Sequence, residues 1–255
     1  MRWDPVQYAR FGDERGRPFL DLLARVGATA PRRVVDLGCG TGELTMRVAE
    51  RWPEARIEGV DASAEMIARA APCARVSFAV GDARDFHADG VDVLLSNAML
   101  QWVPDHGPLL ARWARELPAG GWLAVQVPAN FDAPSHRLMR ELADTPRWRP
   151  RLGGVLRHAD AVASPIAYLE LLSAAGMRVE AWQTEYIHVL EGPDPVLEWV
   201  RGTGLRPVLA VLDAEAADAF EAEYAAALRE AYPARAVGTV FPFRRTFLVA
   251  VKPAA

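Results

Sequence analysis

From Pro31 to Pro128 the chain alternates short apolar runs with amphipathic stretches. The runs Arg33–Leu37, Arg56–Val60, Val76–Val80, Asp92–Ser96 and Trp122–Val127 are rich in Val, Ile and Leu and read as strands. Between them, Leu44–Arg51, Ala64–Ala70 and Leu109–Leu117 carry apolar residues three and four apart, the period of a helix with one buried face. Strands apolar on both sides and separated by helices predict an α/β fold, a doubly wound and mostly parallel sheet covered on both faces. With the two strands expected further on, the sheet has seven strands and a helical insertion between the fifth and sixth.

The flanks are less regular. Asp4-Pro5 reads as a helix start, and a second helix is expected from Pro18 to Val26. Beyond Pro128, Ser135–Ala143 has a helical pattern. Asp144–Asp160 is rich in Arg and Pro and reads as a mobile loop, a candidate lid around Arg147-Trp148-Arg149-Pro150-Arg151. Ser164-Pro165 opens a helix to Ala175 that Gly176 stops. Val179–Val189 alternates as a strand does. Helices follow near Pro195–Arg201 and Asp213–Tyr232, the second an Ala-rich packing element or dimer face, and Thr246–Val251 is the last strand. The expected organisation is one domain over residues 1–255. Residues 1–30 form an N-terminal helical cap and 31–128 the ligand-binding core. Residues 129–177 and 191–240 form helical insertions over the substrate, and 178–190 and 244–252 the final strands.

Composition narrows the partners. The chain has 255 residues, 29 basic against 33 acidic, for a net charge of −4, which argues against a nucleic-acid surface. Lys252 is the only lysine, so any anion site is built from arginine. Cys39 and Cys73 are too few for a disulfide framework or a cysteine zinc site, and His106, His136, His158 and His188 lack metal-ligand spacing. No metal is expected. The first residues lack a basic-then-apolar leader and no apolar stretch is long enough to span a bilayer, so the expectation is a cytoplasmic protein, monomer or homodimer, without membrane or nucleic-acid partners.

The segment Val34-Val35-Asp36-Leu37-Gly38-Cys39-Gly40-Thr41-Gly42 holds the first chemistry: a strand, a carboxylate at its end, a glycine turn and then a helix. The carboxyl end of the first strand is where a doubly wound sheet binds ligands, and glycines let the backbone approach one without Cβ obstruction. Asp61 ends the next run 21 positions after Gly40, the spacing of an acid that holds a ribose. Asp36 divides the two cofactor classes that this arrangement fits. A carboxylate beside the turn repels a dinucleotide's pyrophosphate, which sits on such a turn and helix N-terminus. It suits a ligand carrying an ammonium and a sulfonium.

The segment resembles motif I of the class I S-adenosylmethionine-dependent methyltransferases. The resemblance continues through Asp61, Gly81-Asp82-Ala83-Arg84, Ser96-Asn97-Ala98-Met99-Leu100-Gln101-Trp102 and Leu117-Pro118-Ala119-Gly120-Gly121-Trp122. It implies S-adenosylmethionine as cofactor and S-adenosylhomocysteine as product, held by Asp36, Gly38, Gly40, Thr41, Gly42, Asp61, Ala62, Met66, Asp82, Ala83, Arg84, Asn97 and Ala98. Asp82 would meet the adenine amino group, and Asn97, Gln101 and Trp102 would position the reacting groups. Blander readings stand beside these. Asp36 could cap a helix, Asp61 could be the N-cap of the helix through Met66, and Asp82 could sit in a surface turn. Asn97 and Gln101 could satisfy local backbone, and Trp102 could pack in the core with Trp113 and Leu110. The Cys39 thiol reads as buried and inert.

Outside the core, Trp3-Asp4-Pro5 with Tyr8 and Phe11, Arg15–Pro18, Leu100–His106, Gly204-Leu205-Arg206-Pro207 and Phe241-Pro242-Phe243-Arg244-Arg245 resemble the trans-aconitate 2-methyltransferase family. That implies methyl-ester formation on a small polycarboxylate, trans-aconitate. A carboxylate is ionised at neutral pH, so no general base is required, and the arginines are expected to grip the non-reacting carboxylates. Candidates are Arg17, Arg206, Arg244 and Arg245, with Tyr8 and His136 as neutral donors and Trp102 as a wall. The competing functions are methyl transfer to another small acceptor, a nicotinamide-dependent oxidoreductase on the same fold, and a binding protein without turnover.

Overall fold

A computed structural model describes residues 12–156 and 160–254. In chain order the elements are α1 (Gly12–Ala24), β1 (Arg33–Leu37), α2 (Glu43–Arg51), β2 (Arg56–Asp61), α3 (Ala64–Ile67), β3 (Val76–Val80), β4 (Val93–Asn97), a 3-10 turn (Leu100–Trp102), α4 (Gly107–Glu116) and β5 (Trp122–Pro128). There follow α5 (Pro134–Ala143), α6 (Arg149–Leu152), α7 (Pro165–Ala174), β6 (Arg178–Leu190), α8 (Pro195–Arg201), α9 (Arg206–Leu209), α10 (Ala214–Ala231), β7 (Ala234–Arg235) and β8 (Gly238–Val251). The strands form an eight-stranded sheet in the order β3-β2-β1-β4-β5-β8-β6, with β7 paired to β8 off that path. β1 through β5 pair in parallel and β8 joins β5 antiparallel. This is the doubly wound α/β sheet that the alternating pattern predicts.

The chain divides into two compact units. The first comprises Arg15–Pro128, Val162–Thr184 and Arg245–Ala255. Its core is chiefly aliphatic around Trp113 and Tyr168, with Leu37, Leu94, Leu123, Val125 and Leu248 fully or almost fully buried. The second unit is built mainly from Ala129–Ala161 and Glu185–Arg244. Aromatic side chains, Trp148, Trp199, Phe220, Tyr224, Phe241 and Phe243, dominate its core.

Several elements depart from the sequence pattern. α1 begins at Gly12, with Pro18 inside it and not at its start. Proline removes one helical N–H, but burial of Phe19, Leu22 and Leu23 on one face outweighs that loss. The helix expected at Ala64–Ala70 spans only Ala64–Ile67, capped by the Ser63 side chain on the Met66 N–H. The last strand starts at Gly238, well before Thr246. Although Pro242 lies within it, Thr239, Phe241, Phe243 and Arg245 are buried at every second position, the period of a strand. α7 falls in the sheet unit, where Tyr168 and Leu172 join the aliphatic core, although the sequence reading grouped it with the insertions.

The arginine-rich stretch is not the mobile loop expected. Trp148 is buried edge-on against Phe220 at 5.3 Å and donates to Glu223 at 3.2 Å. Arg147 pairs with Glu223, and Arg151 reaches Asp213 at 2.9 Å, so three successive contacts fasten the stretch to α10 and its cap. α10 is a packing element, burying Phe220, Tyr224, Ala225 and Leu228. Tyr8 and His158, with the Asp4-Pro5 helix start, lie outside the described residues.

Candidate active site

The glycine turn after β1 is shaped mostly by the protein's own side chains. Gly38 has φ +80°, and a Cβ there would lie 2.5 Å from the Met99 side chain. Gly42 has φ +80°, and a Cβ there would lie 2.4 Å from the Phe78 ring. Those two glycines are therefore demanded by packing as well as by backbone conformation. At Gly40 nothing lies within 4 Å of the Cβ position. It alone of the three offers the unobstructed backbone approach that the motif predicts.

Asp36 closes the turn from below. It is buried at 2% exposure and accepts a hydrogen bond from the Thr45 hydroxyl at 2.7 Å. Burial pushes its carboxyl up to about 6, the Thr45 bond pulls it down, and the nearby Asp61 charge raises it further. A carboxylate destabilised in this way gains most from a neighbouring cation. Asp61 straps the site together: its Oδ2 accepts from the Gly40 N–H at 2.9 Å and its Oδ1 from the Ser63 N–H at 2.8 Å. Ser63, not Asp61, is the N-cap of the short helix. Each carboxylate oxygen keeps a second lone pair for a ligand hydroxyl. Ala62 lies between these two anchors in sequence, and the Met66 side chain is buried behind them.

Asp82 behaves differently. The Arg84 backbone N–H and guanidinium both donate to it, at 2.8 Å and as close as 2.5 Å, and this holds its carboxyl down near about 2. It sits in a turn after β3 with Ala83 buried beside it. Cys39 is half-buried, and burial with the Asp36 and Asp61 charges pushes its thiol up, so it stays protonated and unreactive.

At the end of β4, Ala98 is left-handed, at φ 53°, a conformation that costs a residue with a Cβ. Its N–H donates to Gln126 O at 2.9 Å, and its carbonyl accepts from Gln101 Nε2 at 2.5 Å. Gln101 thus holds the turn that carries Asn97. Asn97 Oδ1 is buried and has no hydrogen-bond partner. Trp113 and Leu110 belong to the aliphatic core, and Trp102 is half-buried.

The four candidate arginines separate by burial. Arg17 is on the exposed face of α1, 4.0 Å from Asp21 with its side chain 74% exposed. Arg244 pairs with Asp132 at 2.5 Å and donates to the Ala129 carbonyl at 3.3 Å. Arg206 and Arg245 are buried at 8% and 4% exposure. Within the second unit, His136 Nε2 lies 3.3 Å from where a Cβ on Gly204 would stand, so the Gly204–Pro207 motif and His136 meet. His136 also contacts Ser135 Oγ at 3.3 Å and tilts against Phe131.

Pattern reading missed Gln126. It is fully buried inside the apolar strand β5, and a lone amide in a Val-rich run was the available signal. Strand register places it opposite Asn97 and Phe247, with the Pro128–Arg245 pair two residues on. Counting back through the Asp36–Leu95 pair, Asp36, Asn97, Gln126 and Arg245 share one face of the sheet. An acid, two amides and a cation therefore run in order across the carboxyl ends of β1, β4 and β5 and the facing part of β8. Among the described residues, metal-capable side chains gather at the surface cluster His87, Asp89 and Glu116. Glu116 there accepts from the Ala88 N–H and contacts His87, both at 2.8 Å, a tie between a loop and α4.

Comparison with known proteins agrees with this geometry. Residues 34–121 match the methyltransferase domain family. A trans-aconitate 2-methyltransferase of Streptomyces avermitilis is 57% identical, covering 99% of this chain and 97% of its own. That of Mycobacterium marinum is 48% identical over 97% of this chain and 95% of its own. Among solved structures, the YcgJ protein of Bacillus subtilis aligns over 94% of this chain and 100% of its own with TM-score 0.60 and 17% identity, a likeness of fold. No helix of the described residues is long and apolar enough to cross a membrane. With the match running through the helical insertions as well as the sheet, the chain belongs to the trans-aconitate 2-methyltransferase family, within the S-adenosylmethionine-dependent methyltransferases.

Proposed function

We propose that this protein transfers a methyl group from S-adenosylmethionine to a carboxylate of trans-aconitate, giving a monomethyl ester and S-adenosylhomocysteine. The observation that carries the reading is the charge order along one sheet face, with buried Asp36 at one end and buried Arg245 at the other. The relatives, identical at about half of all positions over nearly the whole chain, support the substrate.

The residues fit the cofactor. Among the described residues Asp36 is a buried acid with a hydroxyl and no cation beside it, Gly40 leaves its Cβ position open, and Asn97 Oδ1 is an acceptor in want of a donor. When bound, the cofactor supplies an electrophilic methyl group on a sulfonium. Asp36 would face its cationic end, Asp61 its ribose hydroxyls, and the Asp82–Arg84 turn with Ala83 its base. Thr41, Gly42, Ala62, Met66 and Ala98 would line the same path.

The substrate needs no proton removed, because its carboxylates are ionised at neutral pH. What the chain must supply is alignment and a dry site. Gln101 holds the Ala98 turn, which sets the attitude of Asn97. Within the sheet unit, Arg245 is assigned to a non-reacting carboxylate and Trp102 to an apolar wall. Attraction to the attacking oxygen has to stay weak, since charge is lost as carboxylate meets sulfonium. Arg17 and Arg244, turned to Asp21 and Asp132, are assigned to the scaffold. No metal takes part in this scheme.

Mass spectrometry of products from the protein, S-adenosylmethionine and a panel of trans-aconitate, cis-aconitate, citrate and isocitrate tests it. A base-labile methylated product from trans-aconitate is expected. Methylation of a different panel member would replace the substrate, and cofactor binding with no methylated acid would overturn the reading.

A further inference from the structure

A buried primary amide is costly unless each of its polar atoms finds a partner. Gln126 is at 0% exposure, and only one end of its amide is engaged: Oε1 accepts from Arg245 Nη1 at 3.4 Å. Nε2 is buried with no hydrogen-bond partner. A guanidinium has donors and no acceptor, so Arg245 fixes which end of the amide faces it and turns Nε2 away. Opposite on β4, Asn97 offers an unpartnered oxygen that could serve a donor but not an anion. A donor in want of an acceptor beside a buried cation is the recognition set of a carboxylate.

Resting on the methyl-transfer reading above, we propose that Gln126 is a specificity-determining residue of the same site. Its Nε2 and the Arg245 guanidinium, which its Oε1 orients, together bind one non-reacting carboxylate of the polycarboxylate substrate. The amide adds a hydrogen bond without adding charge. A glutamate there would set a second negative charge against the substrate carboxylate. A leucine would fill the same space with no donor, and its apolar side chain suits a strand interior.

The test is calorimetric titration of trans-aconitate into protein saturated with S-adenosylhomocysteine, a complex in which no methyl can transfer. Wild type is expected to bind, Gln126→Leu to bind at least tenfold more weakly, and Gln126→Glu more weakly still. The Kd for S-adenosylhomocysteine should stay within twofold, and thermal unfolding identifies any variant that fails to fold. Gln126→Leu keeps the test alive if the glutamate variant is lost. Equal binding by wild type and Gln126→Leu overturns the proposal. So does a parallel loss of cofactor product and acid, which marks a structural role, and so does the absence of binding by wild type. Binding that depends on Gln126 while turnover yields no methyl ester leaves the carboxylate site standing and removes the methyl-transfer reading instead.

Discussion

Asp36, near the end of β1, and Asp82, just after β3, stand at the same end of parallel strands, and they are opposites. Asp36 is buried with a hydroxyl for company, and its carboxyl is raised to about 6. Asp82 is gripped by Arg84 in an open turn and is lowered to about 2. The difference lies in where the balancing charge comes from. Asp82 carries its cation in the sequence, two residues away. Among the described residues no cation compensates the desolvation of Asp36, so a cationic ligand is the group that repays it.

The largest expected effect comes from removing that asymmetry. Asp36→Asn should weaken S-adenosylmethionine binding by about 3 kcal/mol, the scale of breaking a buried charge pair, read by calorimetry. The same change should stabilise the ligand-free protein at pH 7.5 by up to about 3 kcal/mol, since burial raises the carboxyl to about 6. Undiminished affinity would place the cation elsewhere.

Next is Asp61→Ala, expected to weaken cofactor binding by about 1.5–3 kcal/mol, a charged hydrogen bond lost together with the strap on Gly40. An unchanged Kd would take Asp61 out of the site. The third test is a pH titration. An acid raised on folding contributes stability that is complete below its unfolded value near 4 and is lost as pH rises toward about 6. Cofactor binding has the opposite dependence. Affinity should be flat above about 6 and fall as the pH is lowered below it, in wild type but not in Asp36→Asn. The smallest effect is Asp82→Asn. Its ion pair is exposed and screened, so a loss under about 1 kcal/mol of cofactor affinity is expected; a larger one would bring Asp82 level with Asp36.

Much of this was legible in the residues themselves. β1 and β3 run where their apolar runs predict, and β2, β4 and β5 differ by a residue at their ends. β1, β4 and β5 are buried along almost their whole length, so the hydrophobic pattern there has few other solutions. The glycine turn and Asp36 could be read for the same reason: their chemistry is local. What could not be read depends on partners far away in the chain. Nothing near Arg244 or Arg245 says that one turns to Asp132 and the other lies buried against Gln126, because the two alternate across a strand that was expected only from Thr246. The 147–151 run is basic and proline-containing, the composition of a loop, and its anchors, Glu223 and Asp213, lie some 60 to 75 residues on. Gln126 was passed over because one polar residue in an apolar strand carries no period.

The turn after β1 joins two obligations in five residues. Gly38 and Gly42 answer to Met99 and Phe78 as well as to their own positive φ, while Gly40, left-handed at φ +59°, has open space at its Cβ position. A library randomised across the turn should therefore sort into two phenotypes under two screens. Soluble yield would be decided at positions 38 and 42, and catalytic output among the soluble clones at position 40. A screen for activity alone would merge them and credit all three glycines to the ligand.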